Sequence, residues 1–119
     1  MTELSLCMIV KNEEERLARC LSSVQGAVDE IIILDTGSTD GTKDVASRFT
    51  QRVYDYAWDD DFSAARNASF AYATRPFILW LDADDVMERS EREKLMALKA
   101  RLTADVDAAM MKYHAGIGR

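Results

Sequence analysis

Glu30-Ile31-Ile32-Ile33-Leu34-Asp35-Thr36-Gly37-Ser38-Thr39-Asp40-Gly41-Thr42 is the stretch that decides how this chain folds. The apolar run EIIIL reads as a strand, and Asp35 stands at its carboxyl end. The loop that follows is rich in glycine and in helix-capping side chains. A helix is predicted from about Thr42 to Phe49, with Val45, Ala46 and Phe49 turned inward. Gly37 and Gly41 are expected to serve the turns of the loop.

The same order of strand, polar exit and helix recurs on both sides. Upstream, Leu4–Val10 (LSLCMIV) is apolar apart from one serine, as in a strand covered on both faces. Asn12 is placed to cap the next helix, whose positive end would suit Glu13, Glu14 and Glu15. Leu17, Cys20, Leu21 and Val24 form its buried stripe, and Gly26 stops it. Downstream, Arg52–Tyr56 reads as a short strand. Asp59, Asp60 and Asp61 then lead into a helix from about Phe62 to Tyr72, with Phe62, Ala65, Ala68 or Ser69, and Tyr72 inward. Pro76 breaks it. Phe77–Leu81 (FILWL) is another buried strand, ending at Asp82-Ala83-Asp84-Asp85. A charged helix from about Glu88 to Leu102 carries an apolar line of Leu95, Leu98 and Leu102. Val106–Tyr113 reads as a last strand. Alternating strands and helices predict an α/β fold with a mostly parallel sheet flanked by helices. Such sheets bind ligands at the carboxyl ends of their strands. Asn12 and Glu13, Asp35, and Asp82 with Asp84 would gather there on one rim.

The chain has 119 residues, enough for a single domain spanning 1–119. Hydrophobic residues at 48% and charged residues at 30% exclude a disordered chain. A formal charge of −6, with a pI near 4.7, argues against a nucleic-acid partner. It leaves room for a small anion bound through a divalent metal, which inverts the local sign. No apolar run approaches the roughly 20 residues of a membrane span. The acidic turn after a short apolar start is unlike a signal peptide, so a cytoplasmic location is expected. Cys7 and Cys20 lack metal-type spacing and read as buried, reduced thiols.

Asp82-Ala83-Asp84 is the sharpest chemical feature. Two carboxylates one residue apart at a strand mouth can converge on one divalent cation, and such hard oxygen ligands suit Mg²⁺ or Mn²⁺. The other reading is an acidic turn capping the next helix. Asp35 can accept from a base ring N–H or a ribose hydroxyl, or it can serve as a turn residue bonding its own backbone. Arg66 can reach an anionic group on a ligand, or pair with Asp59, Asp60 or Asp61. His114, the one histidine, reads as an ordinary strand-end residue before it reads as a late metal ligand. Trp58 and Trp80 read as core or rim packing rather than as surfaces for ligand stacking.

With these pieces placed, Val10-Lys11-Asn12-Glu13-Glu14, Asp35 to Thr42, Phe62-Ser63-Ala64-Ala65-Arg66-Asn67 and Leu81-Asp82-Ala83-Asp84-Asp85 resemble, in order and spacing, the motifs of family 2 inverting glycosyltransferases. The resemblance runs from residue 4 to about 90 and implies a GT-A-type fold. It also implies a nucleotide-diphosphate sugar donor, usually a uridine diphosphate sugar, with Mg²⁺ or Mn²⁺. Carried over by position, Val10 (through its backbone) and Glu13 would line the nucleoside pocket and Asp35 would bind the base. Arg66 would help hold the nucleotide, Asp82 would hold the ribose and Asp84 would ligate the metal. Lys11 departs from the pattern, since many relatives carry an aromatic residue there. The family's general base and acceptor pocket lie well downstream of the DxD motif. The chain therefore reads as a truncated, N-terminal donor half, with no base assignable.

Two other functions fit parts of the pattern. A non-catalytic nucleotide-sugar-binding module would show the same donor motifs. A haloacid-dehalogenase-type phosphatase would place a nucleophilic aspartate at Asp82 and an acid at Asp84, because Asp82-Ala83-Asp84-Asp85-Val86 formally fits its motif. That motif normally opens its fold, and here it follows three β/α units.

Overall fold

In the computed structural model, which describes residues 3–83, 85–101 and 113–114, strands and helices alternate throughout. The elements are β1 (Leu4–Val10), α1 (Leu17–Val24), β2 (Glu30–Asp35), α2 (Thr42–Ser47), β3 (Val53–Asp55), α3 (Phe62–Ala71), β4 (Phe77–Trp80), α4 (Arg89–Arg101) and β5 (Tyr113–His114). The strands form one sheet in the order β3-β2-β1-β4-β5, and every pairing is parallel. The α/β prediction holds. The Val106–Tyr113 strand is seen only as Tyr113–His114, and the rest of it lies outside the described residues.

The apolar runs are continuous because both faces of the sheet are covered. Along β1, Leu4, Leu6, Met8 and Val10 point into one core, together with Leu17, Leu21 and Val24 of α1, Val45 of α2, Leu79 of β4 and Leu95 of α4. Cys7, between them in sequence, points to the other face and joins Ile32, Ile78 and Trp80, with Phe70 of α3 packed alongside. Both cysteines are buried and free. Burial, reinforced by the nearby charge of Glu30, pushes the Cys7 thiol up to about 12, so it stays protonated and unreactive.

Three expectations need correction. Asn12 does not cap α1: the helix begins at Leu17, Arg16 holds the cap position, and no side chain bonds there. Asn12 instead sits in the left-handed region (φ 54°) at the exit of β1, where its side chain is used by a neighbouring loop. Phe62 and Tyr72 do not face inward from α3; they are 48% and 37% exposed, and the helix buries Ala65 and Ser69. Small residues let α3 lie close to the sheet, and Tyr72 stacks on Tyr54 with ring centroids 3.8 Å apart. On α4, Leu95 is buried, but Lys99 is buried too. Its ammonium donates to the Ala27 carbonyl at 2.8 Å and to Asp29 Oδ2 at 2.9 Å. Leu102 lies outside the described residues.

The amino ends of the strands are tied by a polar network. Glu30, at the start of β2, accepts from Ser5 Oγ at 2.6 Å, Thr74 N at 2.8 Å, Thr74 Oγ1 at 2.7 Å and an Arg52 guanidinium nitrogen at 2.6 Å. The opposite, carboxyl end of the sheet is left for the loops.

Candidate functional site

Parallel pairing fixes the rim. Val10 is in register with Asp35 across β1 and β2, so both strands end at one level. The chain leaves β1 through Lys11-Asn12-Glu13 and β2 through Thr36 to Gly41. These two loops are laced together. Asn12 Oδ1 accepts from Thr39 N at 2.8 Å, and Asn12 N donates to Ser38 Oγ at 2.9 Å. Glu13 N donates to Thr42 Oγ1 at 2.8 Å, and Gly41 N donates to Glu14 Oε1 at 3.1 Å. Asp40 accepts from the Thr42 amide at 3.0 Å and from the Thr42 hydroxyl, which holds its carboxyl below the usual range. Gly37 has φ 113°, as the turn requires, whereas Gly41 serves close approach: a Cβ there would lie 2.7 Å from Glu14 Oε2.

Asp35 is 2% exposed. Its Oδ1 accepts from Gly37 N at 2.9 Å and Ser38 N at 2.8 Å, so it does build its own turn. Its Oδ2 is buried and has no hydrogen-bond partner among the described residues. A buried carboxylate oxygen left unpaired is costly and marks a place where a donor belongs. Glu13 is similar but weaker: its Oε1 is buried without a hydrogen bond, and lies 3.4 Å from the Arg16 Nε in a loose ion pair.

A cavity of about 250 Å³ opens at this rim, lined by Ile9, Val10, Lys11, Glu13, Thr36, Trp58 and Phe62. Val10 and Glu13 are among its lining residues. The Val10 carbonyl accepts from Thr36 N at 3.0 Å and Thr36 Oγ1 at 3.2 Å, so that oxygen is already engaged. Lys11, Thr36, Trp58 and Phe62 were not singled out from sequence as site residues. Lys11, Thr36 and Phe62 fall within the motif segments, and Trp58, outside them, carries a signal as a large aromatic side chain next to an acidic loop. A larger cavity of about 400 Å³ lies at the other end of β2, beside Glu30, Arg52 and Arg75, away from this rim.

Asp82 lies half-buried just past β4. Its amide donates to Asp85 Oδ2 at 3.1 Å, and its carbonyl accepts from Asp85 N at 3.0 Å. Cys20 Sγ reaches the same carbonyl at 3.6 Å, tying α1 to this turn. Asp85 is buried and closes the turn. Asp84 lies outside the described residues, and among those residues no group of three or more His, Cys, Asp or Glu side chains is gathered for a metal. Arg66 is half-buried on α3 and is not among the residues lining the cavity. No ion pair joins it to Asp59, Asp60 or Asp61 among the described residues. Asp61 caps α3, accepting from Ala64 N at 3.0 Å.

The all-parallel sheet flanked by helices is an α/β fold, and solved structures show it to be GT-A-like. The crystal structure of S. aureus TarS superposes with a TM-score of 0.64 over 80% of this chain and 31% of that one, at 20% identity. Glucosyl-3-phosphoglycerate synthase from Mycobacterium tuberculosis, solved in complex with Mn²⁺ and uridine-diphosphate-glucose, gives 0.62 at 25% identity over 71% of this chain and 34% of that one. The family model described as Glycosyl transferase family 2 matches residues 5–117, and the chain belongs to that family. A TPR repeat-containing protein of Synechococcus elongatus is 53% identical over 85 residues, which is 71% of this chain. The SPbeta prophage-derived glycosyltransferase SunS of Bacillus subtilis is 40% identical over 90 residues, or 74% of this chain. The matched region covers 21% of the length of each of these relatives. Family membership sets aside the phosphatase reading of the Asp82–Val86 motif.

Proposed function

We propose that this chain is the donor-binding domain of a glycosyltransferase that uses a nucleotide-diphosphate sugar, with a uridine diphosphate sugar as first choice. The sugar would pass to a separate acceptor in a hexosyltransferase-type reaction. The observation that carries this reading is the buried, half-satisfied carboxylate of Asp35, whose chain neighbour Thr36 lines the rim cavity. An N–H on the edge of a base supplies the donor that Asp35 Oδ2 lacks. Val10 and Glu13 line the adjacent cavity, Asp82 is the acceptor assigned to the ribose, and Arg66 the cation assigned to the phosphates. The structural neighbour bound to uridine-diphosphate-glucose supports the choice of donor.

The oxygen-only donor set of the Asp82–Asp85 turn suits Mg²⁺ or Mn²⁺, with Asp84 as the assigned ligand. When bound, such an ion neutralises charge on a leaving diphosphate. On a chain with a formal charge of −6, it would also offset repulsion between the diphosphate and the rim carboxylates. No helix among the described residues is long and apolar enough to cross a membrane.

Calorimetric titration with a panel of nucleoside diphosphates, with and without Mn²⁺, tests the reading. Uridine diphosphate is expected to bind best and to bind more tightly with Mn²⁺. Failure of every nucleoside diphosphate to bind under either condition would overturn it.

A further inference from the structure

The rim cavity has an aromatic wall, and ring packing accounts for only one of its two members. Phe62 and Trp58 both line it. The Phe62 ring is engaged with Trp80, edge to face, at a centroid distance of 5.9 Å. Trp58 has no ring packed against it among the described residues and is 41% exposed. Its orientation is nevertheless set. The indole N–H donates to Asp60 Oδ1 at 3.0 Å, and Asp60 itself stands in the left-handed region with φ 62°. An indole anchored by its one polar atom, with its ring unstacked at a cavity wall, is a surface made ready for a flat ligand.

We propose that Trp58 is the stacking platform for the nucleobase of the donor, an assignment that rests on the nucleotide-sugar role given above. Two independent features converge on the same kind of ligand. Thr36, next to Asp35, lines the same cavity as Trp58. Oδ2 of Asp35 offers a buried acceptor with no donor among the described residues, which matches the N–H edge of a base. Trp58 offers a π surface, which matches its face. These roles divide the recognition. Stacking tolerates any base, because every base has a π face. An acceptor facing a ring N–H discriminates between bases, because a base lacking that donor leaves the carboxylate unpaired. Trp58 therefore sets how tightly the nucleoside is held, and Asp35 sets which nucleoside it is.

The test uses uridine and uridine diphosphate as probes of the intact chain and of Trp58→Ala and Trp58→Phe. The alanine variant is expected to lose about tenfold or more in affinity for both probes, by a similar factor for each. The phenylalanine variant, which keeps a ring, is expected to retain most of it. A second readout needs no alanine variant. The chain has two tryptophans, and Trp80 is only 5% exposed, so acrylamide quenching reports mainly on Trp58. Uridine should shield that fluorescence in the unaltered chain, and the shielding should vanish in Trp58→Phe. Full-strength uridine binding by folded Trp58→Ala, or binding of uridine without shielding, overturns the platform and leaves the donor role standing. Absence of nucleoside diphosphate binding by the unaltered chain overturns both.

Discussion

Asn12 and Thr39 lie 27 positions apart in sequence, and the amide oxygen of the first accepts the backbone N–H of the second at 2.8 Å. Through this contact the exit of β1 holds the exit of β2, and the floor of the rim becomes one piece. Asn12 can do this because it adopts φ 54°, a conformation that asparagine and glycine tolerate better than other residues. Asn12→Ala is expected to destabilise the chain by about 1 kcal/mol or somewhat more, combining a lost bond with backbone strain. It should also weaken uridine diphosphate binding. Asn12→Gly keeps the backbone and loses only the bond, so its melting temperature should fall between the two. An alanine variant as stable as the parent would show that the lacing contributes nothing.

Asp35→Asn separates the two jobs of that side chain. The amide oxygen can still accept from Gly37 N and Ser38 N, so the fold should persist. The other position becomes an NH₂ donor facing the place assigned to a base N–H. Uridine diphosphate affinity should drop by roughly 1.5–3 kcal/mol, measured by calorimetry. Unchanged affinity would make Asp35 a builder of the loop and nothing more.

The Asp82–Asp85 turn calls for a comparison of two carboxylates. Asp84→Ala should behave like a chelator, weakening uridine diphosphate binding far more than uridine binding, with stability little changed. The sequence alone suggests that Asp85→Ala would be the milder change. Its side chain is buried and holds the Asp82 amide at 3.1 Å, so its loss should lower stability as well as binding. Asp85→Asn keeps an acceptor oxygen and should recover much of the stability. Equal uridine diphosphate affinity in chelator and in Mn²⁺ would remove the metal from the proposal.

Glu30 makes acid stability testable. Burial alone would raise its carboxyl, but hydrogen bonds from Ser5, Thr74 and Arg52 outweigh burial and hold it at about 2, against an ordinary 4.5. A carboxyl lowered in the folded state binds its proton more readily when unfolded. Its stabilising contribution is therefore complete above about pH 4.5 and is lost as the pH falls toward 2. Urea unfolding across that window should show falling stability. Glu30→Gln should be less stable near neutrality and should show a shallower decline in the same window. Parallel curves for variant and parent would mean that other groups govern the acid limb.

Much of the fold was legible because a strand covered on both faces must be apolar at every position. LSLCMIV, EIIIL and FILWL come close to that demand, with only Ser5 and Glu30 polar, and each is followed by a polar residue, so the rim was legible with them. The loops were less so. Nothing local distinguishes an asparagine that caps its own helix from one that reaches across to Thr39, since both use the same short amide. Phe62 at the start of α3 fits an inward stripe by period, and only the close seating of Ala65 and Ser69 on the sheet pushes it to the rim. Lys99 reads as solvated until α4 is placed over the Ala27 carbonyl. Trp58 reads as packing because a cavity is assembled from three separate segments and has no signature within any one of them.

The strand order carries a consequence for how the chain is made. β1 is synthesised first and ends up between β2 and β4, with Leu4 beside Phe77. While the nascent chain emerges, β1 can pair with β2 early, but its other edge stays bare until the Phe77–Trp80 segment has left the ribosome. An apolar strand with an open edge is the sort of surface to which other chains add themselves. The interval between the emergence of Val10 and the emergence of Phe77 is therefore a period in which this domain is open to aggregation. Pausing translation within it should cost more soluble protein than pausing after Trp80 has emerged.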